Sequence, residues 1–388
     1  MAETPSPGTV AAGTASSGQA RAGNPSTGIT IGPADSEQIR LARVICIFFM
    51  VSVHFKLGTF SDAINTSAIA YAIEFLWAEV LGRASVALLS FVSGYLLIVA
   101  TRPDPKKVAR KKFFSVYLPM LSWNFLFILL QFTRCARGTA LEICEPSYWA
   151  LEHFPISDLT GAFVGVVAWP LSFLRELFVT NIIVAALAPL LGRYSLPLIL
   201  ISLVDVGTYF LEPLILRPPV LLFVLLGAVA ATKGVTLVSL SSLRIAVPGA
   251  LISGAAFAIL YFGFPDSELS VLYQNIFMRS GLIFFLFWLT RGMLKFKASR
   301  AISYFESDVF IAYLCHLPVF FIFWQFGARI GGNENLYLYL FLYITVPMLV
   351  LAFSKVFGHL LGYAPAALQL LLRGRVRRPA SRKGAESA

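Results

Sequence analysis

Apolar side chains run along this chain in long blocks, neither striped nor alternating. Blocks of spanning length fall at residues 39–58, 70–100, 113–133, 172–191, 195–211, 217–232, 244–263, 272–291, 304–328 and 335–360. About 20 apolar residues carry a helix across a hydrocarbon core about 30 Å thick. Lipid offers the backbone no hydrogen-bond partner, so each block must be a helix that satisfies itself. The pattern predicts an all-α fold, a polytopic integral membrane bundle of about ten transmembrane helices. The second block is too long for one simple crossing. Glu74, Glu79 and Arg83 mark its first half as an approach along the interface before the apolar run Ala84 to Ala100. Residues 1–36 are rich in Ala, Gly, Ser, Thr and Pro and are predicted to be a disordered cytoplasmic tail. They lack the apolar core and cleavage site of a signal peptide. Residues 37–362 form the membrane domain, and residues 363–388 a basic cytoplasmic tail, disordered from Arg373 onward.

Polar positions between the blocks set the orientation. Arg102, Lys106, Lys107, Arg110, Lys111 and Lys112 crowd the link after the second block, and Arg291, Lys295, Lys297 and Arg300 follow the eighth. Alternate links carry Asp62, Glu142, Glu145, Asp266 and Glu334 instead. Basic loops stay in the cytoplasm, so both termini are predicted to be cytoplasmic, with an even number of crossings. Composition agrees: 57% of residues are hydrophobic, only 13% are charged, and mean hydropathy is +0.76. A soluble protein carries roughly twice that charged fraction. The net charge of +11 is concentrated in the loops, where it suits anionic membrane lipid, and no nucleic-acid partner is expected. Cys135 and Cys144 share one external link, and their spacing leaves a disulfide open. No metal-ligand spacing, phosphate loop, dinucleotide fingerprint or nucleophile elbow is present, so no metal and no bound cofactor are expected.

Five places carry candidate chemistry. Arg43 and His54 stand eleven residues apart in the first block, which on a helix is three turns plus about 20°, one face, roughly 16 Å apart in height. Ionisable groups within a membrane usually face a cavity or pathway. A cation and a deeper imidazole on one face suggest a site that binds an anion and moves a proton or an acyl group. The plain structural alternative is a snorkelling arginine and a hydrogen-bonded histidine. Ser93-Gly94-Tyr95 closes the second block, where small residues also serve close helix packing. Arg110, Lys111 and Lys112 sit at the start of the third and suit phosphate as well as topology. Trp169, Arg175 and Glu176 open the fourth, as acceptor contacts or as an interfacial ion pair with its aromatic anchor. Tyr313 and His316 lie one turn apart in the ninth, beside Pro318. Arg279 in the eighth block has Asp205 or Glu176 as possible partners.

Taken in order, Arg43-x10-His54, Phe91-Val-Ser-Gly-Tyr-Leu-Leu97, Phe173-Leu-Arg-Glu-Leu-Phe-Val179 and Ile311-Ala-Tyr-Leu-Cys-His-Leu-Pro318 resemble the bacterial membrane acyltransferases of acyltransferase family 3. Members typically O-acylate cell-surface or secreted glycans. The resemblance covers roughly residues 37–360 and implies an O-acetyltransferase in the bacterial inner membrane. Its co-substrate would be acyl-CoA, acetyl-CoA first, and its acceptor a glycan or lipid-linked oligosaccharide. Arg43 and His54 would be the essential pair, with His54 as general base or transient acyl carrier. The family's Arg-x-x-Arg step has Lys112 at its first position and Ser115 at its second here, which leaves Arg110 and Lys111 as further donor contacts. The tryptophan expected before Phe-Leu-Arg is Ser172, with Trp169 three residues earlier. Ser93, Trp169, Arg175, Glu176, Tyr313 and His316 would contact the acceptor or support the site. A carrier or flippase for a lipid-linked or anionic substrate is the competing class, although no inverted repeat or pair of interrupted helices is visible.

Overall fold

The computed structural model of the chain describes residues 31–55, 67–100, 103–136, 155–161, 166–262, 268–331 and 335–376. Among these residues helix is the only regular secondary structure. Every predicted apolar block contains one: α1 (Pro33–Ser52), α2 (Ala68–Ala100), α3 (Pro105–Cys135), α4 (Ser172–Leu187), α5 (Leu191–Thr208), α6 (Pro218–Thr232), α7 (Leu243–Phe262), α8 (Glu268–Met293), α9 (Val309–Arg329) and α10 (Leu336–Leu361). A short helix α11 (Ala366–Arg373) follows.

By length and apolarity, 7 of these helical runs can cross a membrane, fewer than the ten predicted. The difference lies in three places. α1 opens with Asp35, Glu37, Arg40 and Arg43, which shortens its apolar part. α4 and α5 join through a 3-10 turn at Ala188–Leu190 into one 40-residue run that kinks at Tyr194. α6, at 15 residues, is short for a crossing. The expected interfacial approach is also one continuous helix with the apolar run after it. Glu79 and Arg83 pair along it, and a wide π turn at Phe75–Gly82 takes up the strain.

Small residues bring α2 and α6 together backbone to backbone. A Cβ on Gly94 would lie 1.8 Å from the Val224 carbonyl oxygen, and one on Gly227 would lie 1.9 Å from that of Phe91. Close packing is thus what Gly94 does, and it turns its neighbour Ser93 away from α6. The start of α1 is pinned by Gln38, fully buried, whose amide donates to Ser241 Oγ at 2.8 Å and the Phe287 carbonyl at 2.9 Å. Asp35 pairs with Arg291 at 2.9 Å. Helix therefore begins at Pro33, inside the segment predicted to be disordered.

The basic tail needs a similar correction. α11 docks on the bundle, where Trp123 Nε1 donates to the Leu372 carbonyl at 3.0 Å and Arg373 is buried against Asp308 at 3.3 Å. Pairing removes the hydration that would otherwise keep Arg373 in water. Cys135 is disulfide-bonded, while Cys46 and Cys315 are free and buried. Cys144 lies outside the described residues.

Candidate functional site

His54 does not stand on α1 itself. The helix ends at Ser52, and His54 follows in a turn whose amide donates to the Val51 carbonyl at 3.1 Å. That turn delivers the imidazole, half-buried, into a line of rings. It stacks on His316 at 5.3 Å between centroids and meets the edge of Trp169 at 4.7 Å. His316 in turn stacks on Tyr313 at 5.6 Å. The sequence marked His54, Trp169 and the Tyr313–His316 pair in three separate places, and the structure joins them. The line runs from fully buried His316 to Trp169, which is 56% exposed.

The polarity of this line is set by its hydrogen bonds. His316 Nδ1 lies 2.6 Å from the Tyr313 carbonyl oxygen, which can only accept, so Nδ1 carries the proton. Nε2 is left as the acceptor nitrogen, buried and with no hydrogen-bond partner among the described residues. Tyr313 Oη donates to the Pro170 carbonyl, tying α9 to the segment that bears Trp169. Asn124 of α3 holds that segment from below. Its Nδ2 donates to the carbonyls of Asp158 and Leu159 at 2.9 Å each, and its Oδ1 accepts from the Ala168 amide at 2.9 Å. Asn124 escaped the sequence reading, yet a lone amide in an apolar helix is the usual mark of polar glue between helices.

A second cluster lies at the middle of α1. Arg43 pairs with Glu306 at 3.5 Å, just before α9 begins. Arg43 and His54 thus both face the α9 side, at Glu306 and His316. Lys112 Nζ donates to Ser93 Oγ at 3.2 Å, and Ser93 Oγ donates to Asn181 Oδ1 at 3.1 Å. This chain connects α3, α2 and α4. Lys112 ends just before a π turn at Phe113–Tyr117 that rotates the rest of α3 relative to it. Arg110 and Lys111 are exposed on the outside of the same helix and make no hydrogen bond to either cluster among the described residues.

Arg175 and Glu176 form a third group, joined to Trp169 through Arg217, whose Nη2 donates to the Trp169 carbonyl at 3.4 Å. Arg175 Nη1 donates to Glu176 Oε1 at 2.7 Å and to the Leu214 carbonyl at 2.7 Å, Nη2 to Pro213 at 3.0 Å and Nε to Gly161 at 2.8 Å. Glu176, fully buried, also accepts from the Arg217 amide. The guanidinium is committed to holding loops in place, which favours support over acceptor contact. Arg279 pairs with neither expected partner: Asp205 accepts from the Leu211 amide, and Arg279 lies near Glu79 and Arg83.

A family model described as an acyltransferase domain matches residues 36–357, which include both clusters. The chain belongs to acyltransferase family 3. Comparison with curated proteins and with solved structures returns no match. As a member of this family with several helices apolar enough to span a bilayer, the chain is a multi-pass membrane acyltransferase. In this acyltransferase the half-buried His54 lies between Trp169, which opens to the surface, and His316, which is fully buried.

Proposed function

We propose that this acyltransferase moves an acetyl group from cytoplasmic acetyl-CoA to a sugar hydroxyl of a cell-surface or secreted glycan, across a bacterial inner membrane with ten crossings and both termini inside. One observation carries the reading: a half-buried imidazole held between an exposed tryptophan and a buried second histidine, just past the end of the helix that bears Arg43 of a cationic cluster. In the step itself His54 removes the hydroxyl proton as oxygen attacks the thioester carbonyl. The C–S bond breaks, the acyl–oxygen ester forms, and the thiolate leaving group takes the proton back from the imidazolium. A neutral imidazole suits both halves because its ordinary pKa, about 6.5, lies near ambient pH. The exposed Trp169 ring offers an apolar face on which the C–H side of a sugar packs beside the base. His316, with Nδ1–H fixed on Tyr313, presents its ring face to His54 and sets the orientation of that imidazole. Arg43 and Lys112 sit at the donor end. Lys112 serves as a point charge for phosphate, and Arg43 as a planar fork.

The test is thiol release by the purified protein in nanodiscs supplied with acetyl-CoA, with and without candidate glycans. Glycan-dependent release supports the reading. Release with no glycan in the panel, or none with any donor, removes it.

A further inference from the structure

Residues 304–308, just before α9, gather charge from three helices. Glu306 holds Arg43 of α1. Asp308, 1% exposed, pairs with Lys355 of α10 and with Arg373 of α11, each at 3.3 Å. Ser307 accepts Lys355 Nζ on its hydroxyl at 2.9 Å and Arg375 Nη2 on its carbonyl oxygen. The end of α11 is thereby fixed in place. Gly374, at φ +70°, presses it against Ser115 of α3, where a Cβ would come within 2.5 Å of the carbonyl oxygen. Only glycine makes that approach in that conformation.

Arg375 consequently stands near Arg43, whose partner Glu306 is the chain neighbour of Ser307, and its neighbour Gly374 packs on Ser115, about one turn from Lys112. Each of these charges is within electrostatic reach of the next: Arg375 of Arg43, and Arg43 of Lys112. The nearby carboxylates do not balance them. Asp308 is matched by Arg373 and Lys355, and Glu306 by Arg43. Among the described residues Lys112 reaches only a neutral hydroxyl and Arg375 only a neutral carbonyl. Lys111 adds a further exposed positive charge. Like charges assembled by a packed scaffold repel unless an anion lies among them. Arg373 and Arg375 also lie past residue 357, where the family match ends, so this docking belongs to the chain's own C-terminal segment.

We propose that α11 delivers Arg375 to a phosphate-binding site shared with Arg43 and Lys112, which holds the nucleotide phosphates of the acyl-CoA donor. The inference rests on the reading of the chain as CoA-dependent. Two guanidinium forks and an ammonium form a set suited to phosphate oxygens. An anionic lipid headgroup has the same chemistry, and the experiment separates the two.

The full-length protein in neutral-lipid nanodiscs is assayed for glycan-dependent transfer from acetyl-CoA and from acetyl-pantetheine, which lacks the nucleotide. Arg375 is exposed, so Arg375→Ala leaves folding intact. Its kcat/KM for acetyl-CoA is expected to fall about three- to tenfold through KM, with Arg375→Glu falling further and acetyl-pantetheine indifferent to both. An unchanged KM for acetyl-CoA, or an equal rise for both donors, overturns the proposal. If Arg375→Ala spares the acetyl-CoA KM but abolishes a response to added phosphatidylglycerol, the site holds lipid and the donor assignment falls. If the wild type turns over no acetyl-CoA, it is the CoA reading that fails. Calorimetric binding of adenosine bisphosphate to wild type and Arg375→Ala then decides the site alone: weaker binding by the variant supports it, and equal binding overturns it.

Discussion

His54→Phe separates chemistry from packing better than truncation does. Among the described residues the imidazole meets Trp169 edge-on at 4.7 Å and stacks on His316 at 5.3 Å. Aromatic pairs contribute about 0.5–1.5 kcal/mol each beyond area burial, so His54→Ala forfeits about 1–3 kcal/mol of stability along with any catalytic function. Phenylalanine keeps both contacts and cannot take a proton. A general base contributes about 10²–10⁴-fold, equivalent to about 3–5 kcal/mol of barrier. His54→Phe should therefore accumulate in the membrane and melt like the wild type, while glycan acylation falls at least a hundredfold. His54→Gln, which retains a hydrogen bond, should be equally inactive. The assay is thiol release at saturating acetyl-CoA, with thermal melting of the same preparation as control. Activity within tenfold of wild type in either variant would refute the assignment and leave His54 as a packing residue. Inactivity with a collapsed melting temperature in Phe but not in Gln would trace the loss of activity in Phe to packing alone.

Lys112→Ala removes a charge-assisted contact at the donor end and should raise the KM for acetyl-CoA about tenfold or more, on the basis of about 1.5–3 kcal/mol for a hydrogen bond to a charged group. Ser93→Ala should have a smaller effect of the same kind, since it only frees Lys112 from its 3.2 Å tether. A donor dependence unchanged in both variants, measured by initial rates, would return the basic segment to setting topology alone. Arg175→Ala should act on stability instead, because it strands fully buried Glu176 and unpins the loops at Gly161 and Pro213. Breaking a buried pair on one side costs about 3–5 kcal/mol, so membrane accumulation and melting temperature should both drop. Normal accumulation with a raised KM for glycan would make Arg175 an acceptor contact after all.

Much of this architecture was legible because apolar block length is a strong signal in a membrane protein. All ten blocks are helical, although the number able to cross by length and apolarity is 7, since block length cannot reveal that α4 and α5 run together or that α6 is short. The site was legible residue by residue but not as contacts. Nothing in the spacing of 54, 169 and 316 says that these rings stack; the packing of α1, α9 and the turn before α4 decides it. Glu306 was hidden because the ninth block was read as starting at 304, whereas the helix begins at Val309 and leaves two carboxylates outside it. Arg375 was hidden in what reads as a disordered basic tail. Asn181 carried a faint signal, a polar side chain five residues past Glu176 on an apolar helix. Arg175 was read as an acceptor contact or a structural support, and here the Glu176 carboxylate and the carbonyls of Gly161, Pro213 and Leu214 hold its guanidinium.

The two clusters belong to one mechanical frame. Arg43 stands on α1 and His54 in the turn that follows it, and their partners Glu306 and His316 lie on the lead-in to α9 and on α9, so the same two elements carry both clusters. Two separate stations on one helix and its following turn suit a donor whose charged end and reactive end are joined by a long flexible arm. Holding the phosphates at Arg43, Lys112 and Arg375 restricts where the thioester can swing. A restricted thioester near His54 reacts as though at high local concentration, which is the usual return on binding a remote part of a substrate. In this reading the cations need not touch the reacting atoms to accelerate transfer. Their contribution should vanish for a donor without phosphates, whereas that of His54 should remain.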